Sequence, residues 1–175
     1  TLALGTNTET IDQLILTSGS VTGSGAGALT GTSTFDVRNG SISAILAGSV
    51  GLTKTTGGTV TLSGNNTYSG ATTVSLGTLS VTGTLSNSTD VSVAGGATYD
   101  VGNSDTIDGL SGTGNVTLGA NTLTVGGHNQ GATDFGGAIS GSEAVPVHPS
   151  TICTASSALS IWISRSMSAR GASGW

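Results

Sequence analysis

The chain is a succession of short apolar-polar alternations, none long enough to make a helix face. Phe35/Val37, Ile42/Ala44/Leu46, Val60/Leu62, Val74/Leu76, Leu79/Val81, Val91/Val93, Tyr99/Val101, Val116/Leu118 and Leu123/Val125 each recur at a spacing of two. A period of two over a few residues marks a strand that turns one side inward. Gly, Asn, Asp and Ser punctuate the gaps, as turn residues do. The pattern predicts strands over 13–17, 33–38, 41–46, 59–63, 72–76, 78–82, 90–94, 97–102, 115–119 and 121–126, and no helix-period segment interrupts residues 1–143.

Such alternation suits an antiparallel sandwich as well as a stacked solenoid. Two features favour the solenoid. Gly51-Leu52-Thr53 followed by Thr59-Val60-Thr61-Leu62 is echoed, at a nearly constant displacement, by Gly109-Leu110-Ser111 followed by Asn115-Val116-Thr117-Leu118. Self-similarity of this kind marks stacked architectures, and here the distance predicts two to three coils. The corners are also varied, whereas hairpins favour two-residue primed turns. The expected fold is all-β: a right-handed parallel β-helix of roughly six coils with an irregular C-terminal tail. Each coil is too short to bury a face alone, so its aliphatic side chains must stack on those of the next, and stability accrues from neighbour contacts. An end coil without a cap leaves backbone groups unpaired. None is evident at Thr1, so the isolated chain is expected to be marginal or aggregation-prone.

Residues Gly58–Thr82 read GTVTLSGNNTYSGATTVSLGTLSVT, preceded by Gly51-Leu52-Thr53-Lys54. This stretch resembles the passenger-associated transport repeat (autotransporter-associated β-strand repeat) of bacterial autotransporters, whose usual form is Gly-Thr-Leu-Thr-Leu-Ser-Gly-x-Asn-Thr-Tyr-Thr-Gly ending in Gly-Thr-Leu. The likeness rests on Lys54, Gly58, Leu62, Gly64, Asn65, Asn66, Thr67, Tyr68, Gly70, Gly77 and Leu79, which it assigns structural and not catalytic parts. Looser lead-in segments extend it over most of residues 1–143.

The resemblance implies a passenger segment: a stalk that supports folding and outer-membrane transport and displays adhesive regions at the bacterial surface or outside the cell. It implies an outer-membrane β-barrel translocator as partner, absent from this chain, with host-surface or matrix ligands beyond. An adhesin-type module for host matrix or glycans is the alternative, and a polysaccharide-processing β-helix enzyme a third. Thr1–Ser20 has neither a basic start nor a small-residue cleavage pattern, so the chain is expected to be an internal piece or truncated product.

Composition narrows the choice. Aromatic residues make up 3% and charged residues 7%, while glycine numbers 30 and mean hydropathy is +0.20. A narrow interior that needs only aliphatic side chains fits these values. A compact globule would carry more rings, and a disordered chain would lack the periodicity. The net charge of −5 comes with four scattered basic residues, so no basic surface for nucleic acid is expected. No apolar run reaches the ~20 residues of a spanning helix.

A break falls near Glu143. Every Pro, Cys, Met and Trp lies after it, in Pro146, Pro149, Cys153, Trp162, Met167 and Trp175. All nine acidic residues lie at or before it. The expected domains are a β-helical repeat region at 1–143, with its best repeat at 58–82, and a non-repeat tail at 144–175. Gly136–Ser142, GGAISGS, looks like a lead-in whose usual continuation the chain shows at Gly48–Thr56. It turns instead to EAVPVHPS, which predicts a frame-shifted reading of repeat DNA, with a natural linker or capping segment, or a disordered tail, as the alternatives.

Chemistry-bearing residues are sparse. His128 is expected to decorate a loop, and the lone Cys153 with His148 makes no zinc pattern. Asp100, Asp105 and Asp108 form the one acidic cluster; hydrolysis would require opposed carboxylates across a sugar, and corner or loop positions are expected instead. Thr-x-Thr triplets at Thr6/Thr8, Thr32/Thr34, Thr59/Thr61 and Thr122/Thr124 are too irregularly spaced for a flat ice-binding array. No catalytic residue, metal site or cofactor is assigned, no small-molecule substrate is evident, and the chain is not expected to be an enzyme.

Overall fold

The computed structural model describes residues 1–126 and 135–141. Among them every strand pairing is parallel and no helix occurs. The chain winds as a β-solenoid of about seven turns, one more than the sequence predicts. Parallel pairing rules out the sandwich, because hairpin-linked neighbours would run antiparallel.

Three faces make up each turn. The first carries eight strands: Leu2–Gly5, Ser20–Gly23, Gly40–Ile42, Thr59–Leu62, Thr78–Val81, Thr98–Val101, Asn115–Gly119 and Ala138–Gly141. The third carries six: Ile15–Leu16, Phe35–Val37, Leu52–Lys54, Thr72–Val74, Val91–Val93 and Leu110–Gly112. The second is broken into two sheets, Thr8–Ile11 with Ala28–Gly31 and Ile45–Ala47, then Asp105–Ile107 with Leu123–Val125.

The interior is a set of columns. Val21, Ile42, Leu62, Val81 and Val101 stack on the first face, beside Val60, Leu79, Tyr99, Val116 and Ile139. Phe35, Leu52, Thr72, Val91 and Leu110 stack on the third. In-register parallel strands keep equivalent side chains on the same side, so each coil renews each column with one inward residue, mostly aliphatic. Each fully buried Val, Leu or Ile contributes roughly 1.5–3 kcal/mol.

The two echoed segments lie three coils apart. Leu52 pairs with Thr72, Thr72 with Val91 and Val91 with Leu110; Val60 reaches Val116 through Leu79 and Tyr99. Coil length varies. The coil from Thr98 to its partner Asn115 is shorter than the next, from Asn115 to Ala138. The first-face strands of these coils still pair side by side, with one irregularity between Thr117 and Gly119.

Several expectations change. The alternation at 41–46 is not one strand; it divides at Ser43-Ala44 between the first and second faces, although Ile42, Ala44 and Leu46 are all buried. Strands at Leu2–Gly5, Thr8–Ile11, Ser20–Gly23, Ala28–Gly31, Leu52–Lys54, Asp105–Ile107, Leu110–Gly112 and Ala138–Gly141 lack a clear apolar alternation, and each is hydrogen-bonded to a strand of a neighbouring coil. Glu143, the tail, His128, His148 and Cys153 lie outside the described residues.

Candidate functional site

The segment with the most specific sequence pattern runs from the third-face strand Leu52–Lys54 to the first-face strand Thr78–Val81. It spans the place where the second face loses its ladder. Between Ile45–Ala47 and Asp105–Ile107 the only pairing on that face, among the described residues, is a single bridge, Asn65 with Thr84. Buried backbone groups need partners there, and side chains supply them.

Asn66 does most of this. Its carboxamide oxygen accepts from the Leu46 amide at 3.1 Å, and its nitrogen donates to the carbonyls of Gly64 at 2.9 Å and Thr84 at 3.0 Å. One buried carboxamide thus ties three successive coils together. Thr67 and Tyr68 both donate through backbone N–H to the Leu46 carbonyl, while the side chains of Asn65 and Thr67 stay exposed.

Tyr68 turns inward and is fully buried, its ring edge-on to Phe35 with centroids 6.1 Å apart. Its hydroxyl pairs with that of Thr72 at 2.7 Å, and its carbonyl accepts from Thr89 Oγ1 at 3.1 Å. Burial raises the Tyr68 phenol well above its usual range despite the Thr72 bond.

Lys54 also points inward, between Val37 and Val74 in its column, and its side chain is buried. Its stem fills the column while the ammonium reaches the stacked corners and donates to the carbonyls of Thr56 and Leu76. Burial lowers its pKa. The corner beside it needs glycine: Gly77 has φ +70°, and a Cβ there would lie 2.3 Å from the Gly58 carbonyl oxygen. Gly70 meets the coil below equally closely, with a notional Cβ 2.4 Å from the Gly51 nitrogen. A Cβ on Gly64 would lie 2.5 Å from the Ala44 carbonyl oxygen, and one on Gly58 3.0 Å from Asn39 Oδ1. Leu62 and Leu79 are plain column residues, fully buried.

On the far side of the break Asp105 performs the complementary task, which the sequence reading missed. It opens a strand and is buried in the column of Leu123, not placed in a loop. Its Oδ2 accepts from the Leu85 amide at 2.8 Å and its Oδ1 from the Thr106 amide at 2.9 Å. Burial raises its pKa, and the two amides only partly offset that. The residue type gave no signal, because an acid among Ser and Thr reads as a corner.

The acidic cluster does not converge. Asp100 sits mid-strand on the first face, outward, accepting from Ser80 Oγ at 2.7 Å and Thr117 Oγ1 at 2.6 Å on the coils either side. Asp105 faces inward on the second face, and Asp108 lies at the following corner. Opposed carboxylates across a substrate are therefore not formed by these three. Beside Asp105 a shallow polar cleft of about 340 Å³ is lined by Thr84, Asn87, Ser104, Thr106, Thr122 and Thr124 among others. The four Thr-x-Thr triplets fall on different faces and corners and build no common array. Among the described residues no group of three potential metal ligands occurs, and no helix is long and apolar enough to cross a membrane.

The arrangement defines a class: a parallel β-solenoid whose most distinctive segment is a junction between coils. Residues 52–81 match the family model of the passenger-associated-transport-repeat. The matched stretch runs across the third to fifth coils. No curated protein and no solved structure matches the chain.

Proposed function

We propose that the chain is a stalk segment of a surface-displayed or secreted autotransporter passenger, which supports the folding and outer-membrane transport of that passenger and holds adhesive regions away from the cell. The observation that carries this reading is the position of the repeat. Residues 52–81 supply one complete coil and parts of its two neighbours, and they join coils below and above through Asn66, Lys54 and Tyr68. A stacking unit of this kind adds its neighbour contacts as each new coil docks, which suits a chain that acquires structure progressively as it emerges. Its partner in that process is an outer-membrane β-barrel translocator.

The test places the whole chain between a secretion signal and an outer-membrane β-barrel and measures protease accessibility on intact cells. Display should be efficient and should fall when residues 52–81 are deleted or Asn66 is replaced. Equal display with and without the repeat would overturn the reading. A pull-down on matrix proteins and a screen on acidic polysaccharides should both be silent for a stalk; a specific signal in either would favour an adhesin or a polysaccharide-acting protein.

A further inference from the structure

The chain contains a single Asn-Gly dipeptide, Asn39-Gly40. The fold places it at the corner between the third-face strand Phe35–Val37 and the first-face strand Gly40–Ile42. Asn39 is exposed, and among the described residues its carboxamide has no hydrogen-bond partner. Asn66, by contrast, is buried and its carboxamide is bonded three times over. Asn87 and Asn103 are as exposed as Asn39, but each is followed by serine. The glycine after Asn39 is one the fold cannot exchange. Gly40 has φ +123°, and a Cβ there would lie 2.1 Å from the carbonyl oxygen of Gly19 in the preceding coil. Stacking thus demands glycine at the one position where glycine makes the preceding asparagine most reactive, because no Cβ hinders its backbone nitrogen.

We propose that Asn39 is a site of spontaneous deamidation in the folded chain, and that the change loosens the stacking of its coil. The backbone nitrogen of Gly40 attacks Cγ of Asn39. A new C–N bond closes a five-membered imide, the Cγ–Nδ2 bond breaks, and Nδ2 leaves as ammonia with the proton lost from the Gly40 nitrogen. Water then opens the imide at either carbonyl, giving aspartate or isoaspartate at position 39. No oxidation state changes, and water is the sole co-reactant. Both products carry one more negative charge than asparagine. Isoaspartate also routes the main chain through the former side chain and lengthens it by one methylene. The corner has no slack for that. Gly40 packs on Gly19 on one side, and the Asn39 carboxamide packs on Gly58 on the other, where a notional Cβ would meet its Oδ1 at 3.0 Å. Close-packed backbone transmits such a change as strain. The reaction is intrinsic to the solenoid and proceeds whatever the passenger displays, so it goes beyond the stalk role and does not depend on it.

Ageing the full, folded chain at mildly alkaline pH tests this, with peptide mass mapping for the amide-to-acid conversion and an isoaspartate-specific methyl label for the isomer. Asn39 should convert about tenfold or more faster than Asn87 or Asn103, and the label should map to the peptide that holds position 39. Asn39→Gln should abolish that label. Unaged Asn39→Asp, which carries the charge without the longer backbone, should keep the wild-type thermal midpoint, whereas the aged isoaspartate fraction should melt lower. Conversion at Asn39 no faster than at Asn87 and Asn103, or conversion only after unfolding in urea, would overturn the proposal. So would an isoaspartate fraction as stable as the unaged chain. The ageing of the wild type needs no variant, so it decides the question even if Asn39→Gln fails to fold.

Discussion

The side-chain oxygen of Asn66 accepts the backbone N–H of Leu46 at 3.1 Å, one coil away, in place of a strand partner that the chain does not provide. The same carboxamide donates to Thr84 on the opposite side. A sheet that would otherwise stop is carried through two coils by one residue, so the junction tolerates an irregular corner without orphaned backbone groups.

Replacing Asn66 by Ala should therefore cost about 2–4 kcal/mol, since the buried Leu46 N–H, the buried Gly64 carbonyl and the partly buried Thr84 carbonyl lose a partner together. Asn65→Ala, next door and exposed, should stay within about 0.5 kcal/mol. Urea unfolding of the two variants checks the contrast, and equal losses would show that the buried carboxamide is not a strut.

Gly70 and Gly57 make a second contrast. A methyl on Gly70 would lie 2.4 Å from backbone atoms of the coil below, while one on Gly57 meets nothing within 4 Å. Gly70→Ala should destabilise by about 3 kcal/mol because backbone cannot yield as a side chain can. Gly57→Ala should be neutral within about 0.5 kcal/mol. Thermal midpoints measured side by side suffice.

At Tyr68, Phe substitution removes only the bond to Thr72 and should cost about 1 kcal/mol. Ala substitution empties the site against Phe35 and should cost about 3–5 kcal/mol. A Phe variant as damaging as the Ala variant would move the weight from packing to the hydroxyl pair.

Two aspartates should give opposite pH responses. Asp36 is held below its usual value, chiefly by the hydrogen bond from Arg38. Its stabilisation is present above about pH 3.9 and is lost as pH falls through the lowered folded value. The pair is partly exposed, so Arg38→Ala should cost little, and less still in high salt. Asp105 is raised by burial, so the native state holds its proton more readily than the unfolded chain. Its favourable contribution is complete below about pH 3.9 and disappears as pH rises through the raised folded value. Denaturation midpoints from pH 3 to 8 should lose the first trend in Asp36→Asn and the second in Asp105→Asn.

Lys54 responds at alkaline pH. Its lowered pKa means that the native state binds fewer protons, so stability should rise with pH between the lowered value and about 10.4. Above about pH 10 the buried phenols of Tyr68 and Tyr99, both raised by burial, reverse the slope. Lys54→Met should abolish the rise and leave the reversal, which a stability profile from pH 7 to 11 would show.

Much of this was legible in the residues. Most paired aliphatics at a spacing of two mark the inward columns, although Leu76, paired with Val74 in that pattern, lies past the end of its strand and is exposed. The echo of Gly51-Leu52-Thr53 in Gly109-Leu110-Ser111 marks stacking. Less legible were strands whose inward positions are not aliphatic. Asp105 and Lys54 face inward with no sequence sign of doing so, because each is accommodated by backbone groups contributed from other coils. The division of 41–46 between two faces was hidden for a related reason: a corner that keeps its apolar residues inside looks locally like one continuous strand.

By itself, then, the sequence determined that this ring-poor, glycine-rich chain must bury its aliphatics by stacking, since no single segment has enough apolar surface to hold itself. Only the tertiary structure decided which coil lies over which, how corners of unequal length return the strands to register, and which polar side chains stand in for absent backbone partners. Those choices depend on groups a full coil apart in the chain meeting face to face, as Leu46 and Asn66 do, and contact at that range is set by register between neighbours and not by local pattern.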